Sequence, residues 1–382
     1  MVAPARPRGE PPSAPYDRRV TQEIKALDLF AGAGGLTAGL HAASDRFKTV
    51  AAVEMDAAAA ASYEATYGRG LVFAGDIKEW LKGDVPGADV IIGGPPCQGF
   101  SSLGKQDVED ERNFLWREYA QTIRRAAPKY FIVENVAEFK KSPQFRLFEE
   151  ATAKGGMLPE YAFKAKVYNA ADFGAAQTRR RTVIIGYHRD LGFPGELVPT
   201  HSADPKSNLP AWVTVRDVLD PVPRTPDRDA VFDARSTEFR GKKFAGAFAV
   251  RDLHWSRNYT QLSKDRFAVI PAGGNRRDLE SYPHLMAACW TRHKTGSGDV
   301  MGRLHWARPS VTIRTEFFKP EKGRYIHPEE HRAITHYEAA LLQGFGSRHR
   351  FVGSRTDIAR QIGNAVPIPL GAAIGRLLAS VF

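Results

Sequence analysis

The sequence predicts an α/β fold: a doubly wound, Rossmann-like sheet joined to a second, smaller and irregular domain. Three observations predict it. Short apolar runs alternate with helical patterns from Ile24 to about Asp190, as they do where strands are joined by crossover helices. A glycine-rich turn, Asp28-Leu29-Phe30-Ala31-Gly32-Ala33-Gly34-Gly35, separates the first strand from the first helix, the place where such sheets bind ligands. After Asp190 the alternation gives way to Pro-rich and polar stretches, such as 199–210 and 220–229.

In chain order, the apolar runs Ala26 to Phe30 and Thr49 to Glu54 read as strands, and Leu36 to Ala43 and Ala57 to Tyr67 read as helices. The alternation continues through Leu71 to Ala74, Ile77 to Leu81 and the buried run Ala88 to Ile92. A helix follows around Phe114 to Ala126, a strand at Tyr130 to Val133, a helix near Phe145 to Ala153 and a strand at Thr182 to Tyr187. Parallel pairing with crossover helices is the expected topology. Helical periodicity returns at Tyr337 to Gln343 and Leu370 to Val381, so the C-terminus is expected to complete the first lobe. The expected division is a disordered Pro/Arg-rich extension over 1–24, a catalytic lobe over 25–190 plus 331–382, and a recognition lobe over 191–330. Five prolines in the first fifteen positions account for the extension.

Length supports two lobes, since single cores stop growing near about 250–300 residues and this chain has 382. Two cysteines, Cys97 and Cys289, cannot build a disulfide framework. With no apolar run of about 18 residues, the expectation is a soluble, cytoplasmic protein without membrane attachment. The formal charge of +11 is uneven: between Pro221 and Pro320 there are 18 Lys/Arg against 10 Asp/Glu. Trp255, Tyr259, Trp290, His293 and Trp306 are interleaved with these cations. A charge run is usually a solvated face, but cations with aromatics also suit phosphates and bases.

Six places in the sequence invite chemistry. Cys97 sits in Gly93-Gly94-Pro95-Pro96-Cys97-Gln98-Gly99-Phe100-Ser101, a stiff loop directly after a buried strand. A lone cysteine is ordinarily a small core residue, but this loop presents a thiol as a nucleophile would need it. In the Phe30 turn, Ala31, Gly32 and Gly34 allow backbone to approach a nucleotide-like ligand. Glu54 lies 20 residues after Gly34, where a carboxylate accepts from ribose hydroxyls. Thr37 occupies the position of the third glycine of a dinucleotide fingerprint, which argues against a dehydrogenase. Asp76, in Gly75-Asp76-Ile77, either caps a helix or accepts from an adenine amine, with Ile77 against the ring. Glu134 ends a strand on the same sheet edge as Cys97, either as a surface residue or in an acid/base role. In Gln177-Thr178-Arg179-Arg180-Arg181, strict alternation places Arg179 and Arg181 on one face, able to orient Glu134. No metal is called for.

These segments, in this order, resemble the DNA (cytosine-5) methyltransferase family. The resemblance covers about residues 26–382 and includes Phe30-Ala31-Gly32, Pro95-Pro96-Cys97-Gln98, Arg112-Asn113-Phe114-Leu115, Glu134-Asn135-Val136 and Gln177-x-Arg179-x-Arg181. It continues with Arg308-Pro309-Ser310-Val311-Thr312-Ile313-Arg314 and Gln361-Ile362-Gly363-Asn364-Ala365-Val366-Pro367. Similarity to the family implies S-adenosyl-L-methionine contacts at Phe30, Glu54, Met55, Asp76, Ile77, Pro96, Gln98, Leu115, Asn364 and Val366. It also implies target recognition between the arginine motif and Arg308, within the basic segment.

The implied reaction adds Cys97 to C6 of a cytosine flipped from the duplex, with Glu134 on the base edge and Arg181 placing the base or Glu134. The loop Ser101 to Asp110 would close over the base. Arg276, Arg277, Arg292 and Lys294 are candidate DNA contacts, as is Ser101. The compact architecture looks like a monomeric prokaryotic modification enzyme, associated with the nucleoid and paired with a restriction endonuclease. The alternatives are a cytosine-5 methyltransferase acting on tRNA and a non-catalytic DNA-binding scaffold.

Overall fold

The computed structural model describes residues 22–96, 115–226, 234–292 and 298–382. Eight strands and five helices make the first lobe in chain order: β1 (Ile24–Leu29), α1 (Gly35–Ala43), β2 (Phe47–Glu54), α2 (Ala57–Tyr67), β3 (Val72–Ala74), α3 (Ile77–Trp80), β4 (Val90–Gly93), α4 (Leu115–Ala126), β5 (Tyr130–Val136), α5 (Pro143–Thr152), β6 (Tyr161–Asn169), β7 (Gln177–Thr178) and β8 (Arg180–His188). Local chemistry sets their ends. The Asp56 side chain accepts from the amides of Ala58 and Ala59 to start α2, and Ser142 accepts from Phe145 to start α5 with Pro143 at its first position.

Seven strands form one sheet in the order β3-β2-β1-β4-β5-β8-β6. The first five are parallel. Contrary to the all-parallel expectation, β8 runs antiparallel between β5 and β6. Strand β6 carries Lys164 and Lys166 on its alternate positions, so its sequence lacks the apolar run of the inner strands. As the edge strand it needs only one apolar face, and its lysines discourage further pairing.

The period-two alternation of the inner strands sorts the core to both faces. Leu27, Leu29, Ile91, Phe131, Val133 and Ile184 pack with Trp80, Tyr119, Ile123 and Phe148 of α3, α4 and α5. Ala26, Val90, Ile92, Ile132, Val183 and Ile185 face the other way, onto Leu36 and Leu40 of α1. They also meet Leu370, Ile374 and Leu378 of the C-terminal helix Ile368–Ala379. That helix lies against α1 at a glycine–glycine contact: a Cβ on Gly39 would fall 2.5 Å from the Gly371 backbone.

Beyond His188 come α6 (Val215–Leu219), β9 (Ser236–Phe239), β10 (Lys242–Ala249), α7 (Gln261–Val269), α8 (Ala288–Arg292), β11 (Gly302–Arg303), β12 (Ser310–Val311), β13 (Arg324–Ile326), α9 (His336–Gln343), β14 (Arg350–Val352), α10 (Arg355–Asn364) and α11 (Ile368–Ala379). The β9–β10 hairpin pairs with β14, and its Phe239 packs with Tyr63 and Ala60 of α2. One core joins α6, Phe248, Leu253 and Trp306 to α9 and α10, so apolar packing runs across position 331. A smaller core of Phe267, Ile270, Leu279, Leu285 and Met301 holds the segment around α7.

The interleaved aromatics are not presented to a nucleic acid in the way their spacing suggested. Trp255 and Trp306 are buried in the core shared with α9 and α10. Tyr259 and Trp290 pack against the α7 core. Their apolar faces close an otherwise small hydrophobic interior, and the cations beside them, such as Arg216 and Arg224 over Trp306, lie on ring faces. His293 lies outside the described residues. Among the described residues no single helix is long and apolar enough to cross a membrane.

Replacing Gly39 with alanine tests the α1–α11 contact. Helix propensity favours alanine by up to about 1 kcal/mol, whereas forcing a methyl against fixed backbone costs roughly 1–3 kcal/mol. Gly39→Ala is therefore expected to lower the urea midpoint, and an unchanged or raised midpoint would show that the helices separate freely.

Candidate active site

The C-terminal edge of the sheet opens into a cleft of about 470 Å³. Its first wall is the turn after β1, where Phe30, Gly32 and Gly34 all have positive φ (56°, 55° and 87°). For phenylalanine this conformation costs on the order of 1–3 kcal/mol. Glu54, at the end of β2, holds the turn: its carboxylate accepts from the Gly32 amide at 2.8 Å and from the Asp56 amide at 2.7 Å. The Ala31 amide adds a bond to the Val53 carbonyl. Phe30, Ala31, Gly32, Glu54 and Met55 all line the cleft. Met55 is 72% exposed at its mouth.

Gly34 does something else. A Cβ there would fall 2.3 Å from Cε2 of Tyr67, and the Tyr67 hydroxyl donates to the Gly34 carbonyl. This glycine accommodates a tyrosine and starts α1, whereas Gly32 has open space where its side chain would be. Of these two glycines, Gly32 lines the cleft and Gly34 does not.

Asp76 both caps a helix and faces the cleft. Its side chain accepts from Lys78 to cap α3, and it lines the cleft beside Ile77. Pro96 and Leu115 form the opposite wall, and Asn364 and Val366 after α10 close the end. Helix α10 was not anticipated from the sequence, although Ser354 and Asp357 form a capping box at its start. It also brings Arg360 to the cleft, where it pairs with Asp56 at 3.3 Å.

Beneath the first wall lies Asp28, buried, with Thr37 Oγ1 donating to it at 2.7 Å and Tyr63 next along at 2.9 Å from that hydroxyl. Burial pushes the Asp28 carboxyl up to about 7; the Thr37 bond opposes this and the nearby Glu54 adds to it. Burial likewise raises Glu54, against the two amide bonds. No role for Asp28 is legible in the glycine-rich motif that contains it. Its only signal was a carboxylate inside an otherwise apolar strand.

At the far end of the cleft, Glu134 pairs with Arg181: Nε to Oε1 is 2.9 Å, and both side chains are largely buried. Strand register explains the meeting. Glu134 lies opposite Val183 and Arg181 opposite Val136, so the two are diagonal neighbours on one face. Arg179 lines the same cleft, near enough to Arg181 and Glu134 to interact with both charges, and sits where the chain passes from β7 to β8. It is 3% exposed, and its Nη1 donates to the Ile313 carbonyl at 2.9 Å. Burial, with Arg181 alongside, lowers its guanidinium to about 9, still charged at neutral pH.

Gly94 lies close to the other oxygen of Glu134: an added Cβ would sit 3.2 Å from Oε2. Asn135 Nδ2 donates to the Pro95 carbonyl at 2.9 Å, tying the end of β5 to the loop that leads to Cys97. Cys97, Gln98, Ser101 with its loop, and Lys294 lie outside the described residues, as does the side chain of Arg292. Arg276 and Arg277 start a short turn of helix (Arg276–Ser281), half-buried and exposed respectively. Neither lines the cleft.

A family model described as C-5 cytosine-specific DNA methylase matches residues 24–380. The chain is 33% identical to the Type II methyltransferase M.XorII of Xanthomonas oryzae, over 91% of this chain and 83% of that one. It is 30% identical to the Type II methyltransferase M.NgoFVII of Neisseria gonorrhoeae, over 90% and 83%. Among solved structures it shares the fold of a protein described as a DNA modification methyltransferase encoded within an E. coli prophage, with a TM-score of 0.66 at 24% identity, covering 94% of this chain and 99% of that one. The S. pombe Dnmt2 methyltransferase matches with a TM-score of 0.53 at 16% identity, covering 94% and 98%.

The raised carboxyl of Asp28 has a signed consequence for stability. Its folded value of about 7 lies above the ordinary value of 3.8, so the folded state holds the proton more tightly and its contribution is lost as pH rises from about 4 to about 7. Asp28→Asn removes this loss. The stability difference between variant and wild type, from urea unfolding at each pH, is expected to grow across that window and level off above it. A pH-independent difference would mean that Asp28 ionises normally.

Proposed function

The chain belongs to the C-5 cytosine-specific DNA methylase family and so is an enzyme of DNA cytosine-5 methylation; we propose that it takes the methyl group from S-adenosylmethionine and acts on a cytosine flipped out of a specific duplex sequence, through a covalent bond between Cys97 and C6. The observation that carries this reading is the continuity of one cleft. It runs from the Phe30–Gly32 turn, past Pro95 and Pro96 just ahead of Cys97, to the Glu134–Arg181 pair.

The donor set suits the methyl donor. Asp28, Glu54 and Asp76 offer carboxylate oxygens to a ligand bearing a sulfonium, an ammonium, ribose hydroxyls and an exocyclic amine, while Phe30, Ile77 and Leu115 offer apolar surface to its ring. When bound, S-adenosylmethionine supplies an electrophilic methyl group. The residues of this chain make C5 reactive toward it. The Cys97 thiolate adds to C6, and the C5=C6 electrons move onto C5. Glu134 accepts from the exocyclic amine and, carrying a proton, donates to N3 as the thiolate adds, while Arg181 pairs with its Oε1. Once C5 carries the methyl group, loss of the C5 proton restores the double bond and expels the thiolate.

The DNA specificity of the family answers the tRNA alternative, and enzyme relatives answer the scaffold. We assign sequence recognition to a region within 191–330, around α7, the turn at 276–281 and α8, because the β9–β10 hairpin is occupied with α2 and β14. The catalytic lobe is then 25–190 with 331–382. A monomer working on nucleoid DNA in the cytoplasm, with a cognate restriction endonuclease, completes this proposal.

Cys97→Ala tests the reading. Wild-type protein is expected to convert cytosines at one recurring sequence to 5-methylcytosine in DNA of expressing cells, read by bisulfite sequencing. The variant is expected to leave them unmodified while still binding S-adenosylhomocysteine and duplex. Normal methylation by Cys97→Ala would remove the thiol from the mechanism, and modification of RNA alone would overturn the substrate.

A further inference from the structure

Two glutamine side chains, Gln177 and Gln343, meet in the interior between the two ends of the cleft, and both are fully buried. Gln177 Nε2 donates to Gln343 Oε1 at 2.6 Å and to the Leu342 carbonyl at 3.2 Å. Gln177 Oε1 accepts from the Ile313 amide at 3.2 Å. Gln343 Nε2 donates to the Ile362 carbonyl, with the Ala365 carbonyl at 3.5 Å. The amide orientations are fixed by these partners, since a backbone N–H only donates and a carbonyl only accepts.

What each glutamine holds is the important point. Ile313, bonded through its amide to Gln177, is bonded through its carbonyl to Arg179. Ile362 and Ala365, held by Gln343, flank the stretch that carries Asn364 and leads to Val366, which close the cofactor end of the cleft. The pair therefore fastens the backbone that seats Arg179 to the backbone that presents Asn364 and Val366. Neither glutamine lines the cleft. A core filler would do as well with apolar side chains, whereas two buried amides bonded to each other and to named backbone groups define one geometry.

We infer that Gln177 and Gln343 are positioning residues that fasten the base end of the cleft to its cofactor end, so that disturbing either one degrades both. The inference rests on the function proposed above. Its mark is cross-effect: a change on the Arg179 side weakens cofactor binding, and a change on the Asn364 side slows reaction at the base. Displacement of about 1 Å at a reacting centre can cost as much as a hundredfold in rate.

The test uses the full chain, tritiated S-adenosylmethionine and unmethylated, mixed-sequence duplex DNA made by enzymatic amplification. Single-turnover methyl transfer is measured with enzyme and cofactor in excess. Binding of S-adenosylhomocysteine is measured by calorimetry, well below each protein's thermal midpoint. Wild-type protein must transfer methyl groups; if it does not, the proposed function fails before any variant is compared. Gln343→Met is expected to slow transfer at saturating cofactor by about tenfold or more. Gln177→Met is expected to weaken S-adenosylhomocysteine binding by about threefold or more. The double variant is expected to be no worse than the more damaged single one, because both substitutions break the same link. Folded variants with wild-type rate and affinity, effects confined to each glutamine's own end, or effects that multiply in the double variant would overturn the inference. Where a methionine variant does not fold, Gln343→Asn or Gln177→Asn keeps the amide but falls short of its partner and carries the same comparison.

Discussion

The Glu134–Arg181 ion pair exists because the sheet stops being parallel after β5. A parallel neighbour would begin at the far end of the sheet and bring its last residues to the cleft; β8 instead enters there, so its opening arginines sit beside the closing residues of β5. The diagonal register then sets Nε against Oε1 at 2.9 Å. Burying both charges is costly, and such a pair is weak evidence of stability. What it secures is orientation: one carboxylate oxygen faces the arginine while the other lies close to Gly94.

The other end of the cleft depends on a comparable constraint. Left-handed backbone at Phe30 is unfavourable, and it persists because Glu54 fastens the following amide of Gly32 while also holding Asp56 at the start of α2. One buried carboxylate thus sets the shape of the turn and the start of the next helix. Asp28 lies close by, near enough to Glu54 that the Glu54 charge adds to the burial that disfavours its own ionisation. Carboxylates line the cleft at both ends, each held by named partners.

Much of this was legible in the sequence, for identifiable reasons. Helix α2 was read at its exact bounds because an alanine run follows a capping aspartate. The inner strands were legible because burial on both faces leaves continuous apolar runs. Strand direction leaves no such local trace, so β8 was expected to be parallel, and β6 was missed because its outward lysines interrupt the pattern. Cleft residues around Phe30, Glu54, Asp76 and Glu134 could be named because motif order carries them. Their division of labour could not: that Gly34 serves Tyr67 and Arg179 serves Ile313 follows from packing between segments more than 30 and 130 residues apart in sequence. The tryptophans of the basic segment misled because composition cannot tell a ring that closes a core from one that awaits a base.

In the proposed reaction, Arg181 holds Glu134 so that the base can be attacked by Cys97. Covalent trapping isolates this step, because a fluorine at C5 cannot leave as a proton does and the Cys97–C6 bond then persists. A duplex of mixed sequence carrying 5-fluorocytosine, with S-adenosylmethionine, is expected to yield a protein–DNA adduct resistant to denaturation with the wild-type chain. Arg181→Met is expected to form it about a hundredfold more slowly while binding the duplex with similar affinity. Trapping by Arg181→Met at the wild-type rate would contradict the account, because the thiol would then be attacking a base that the ion pair had no part in placing.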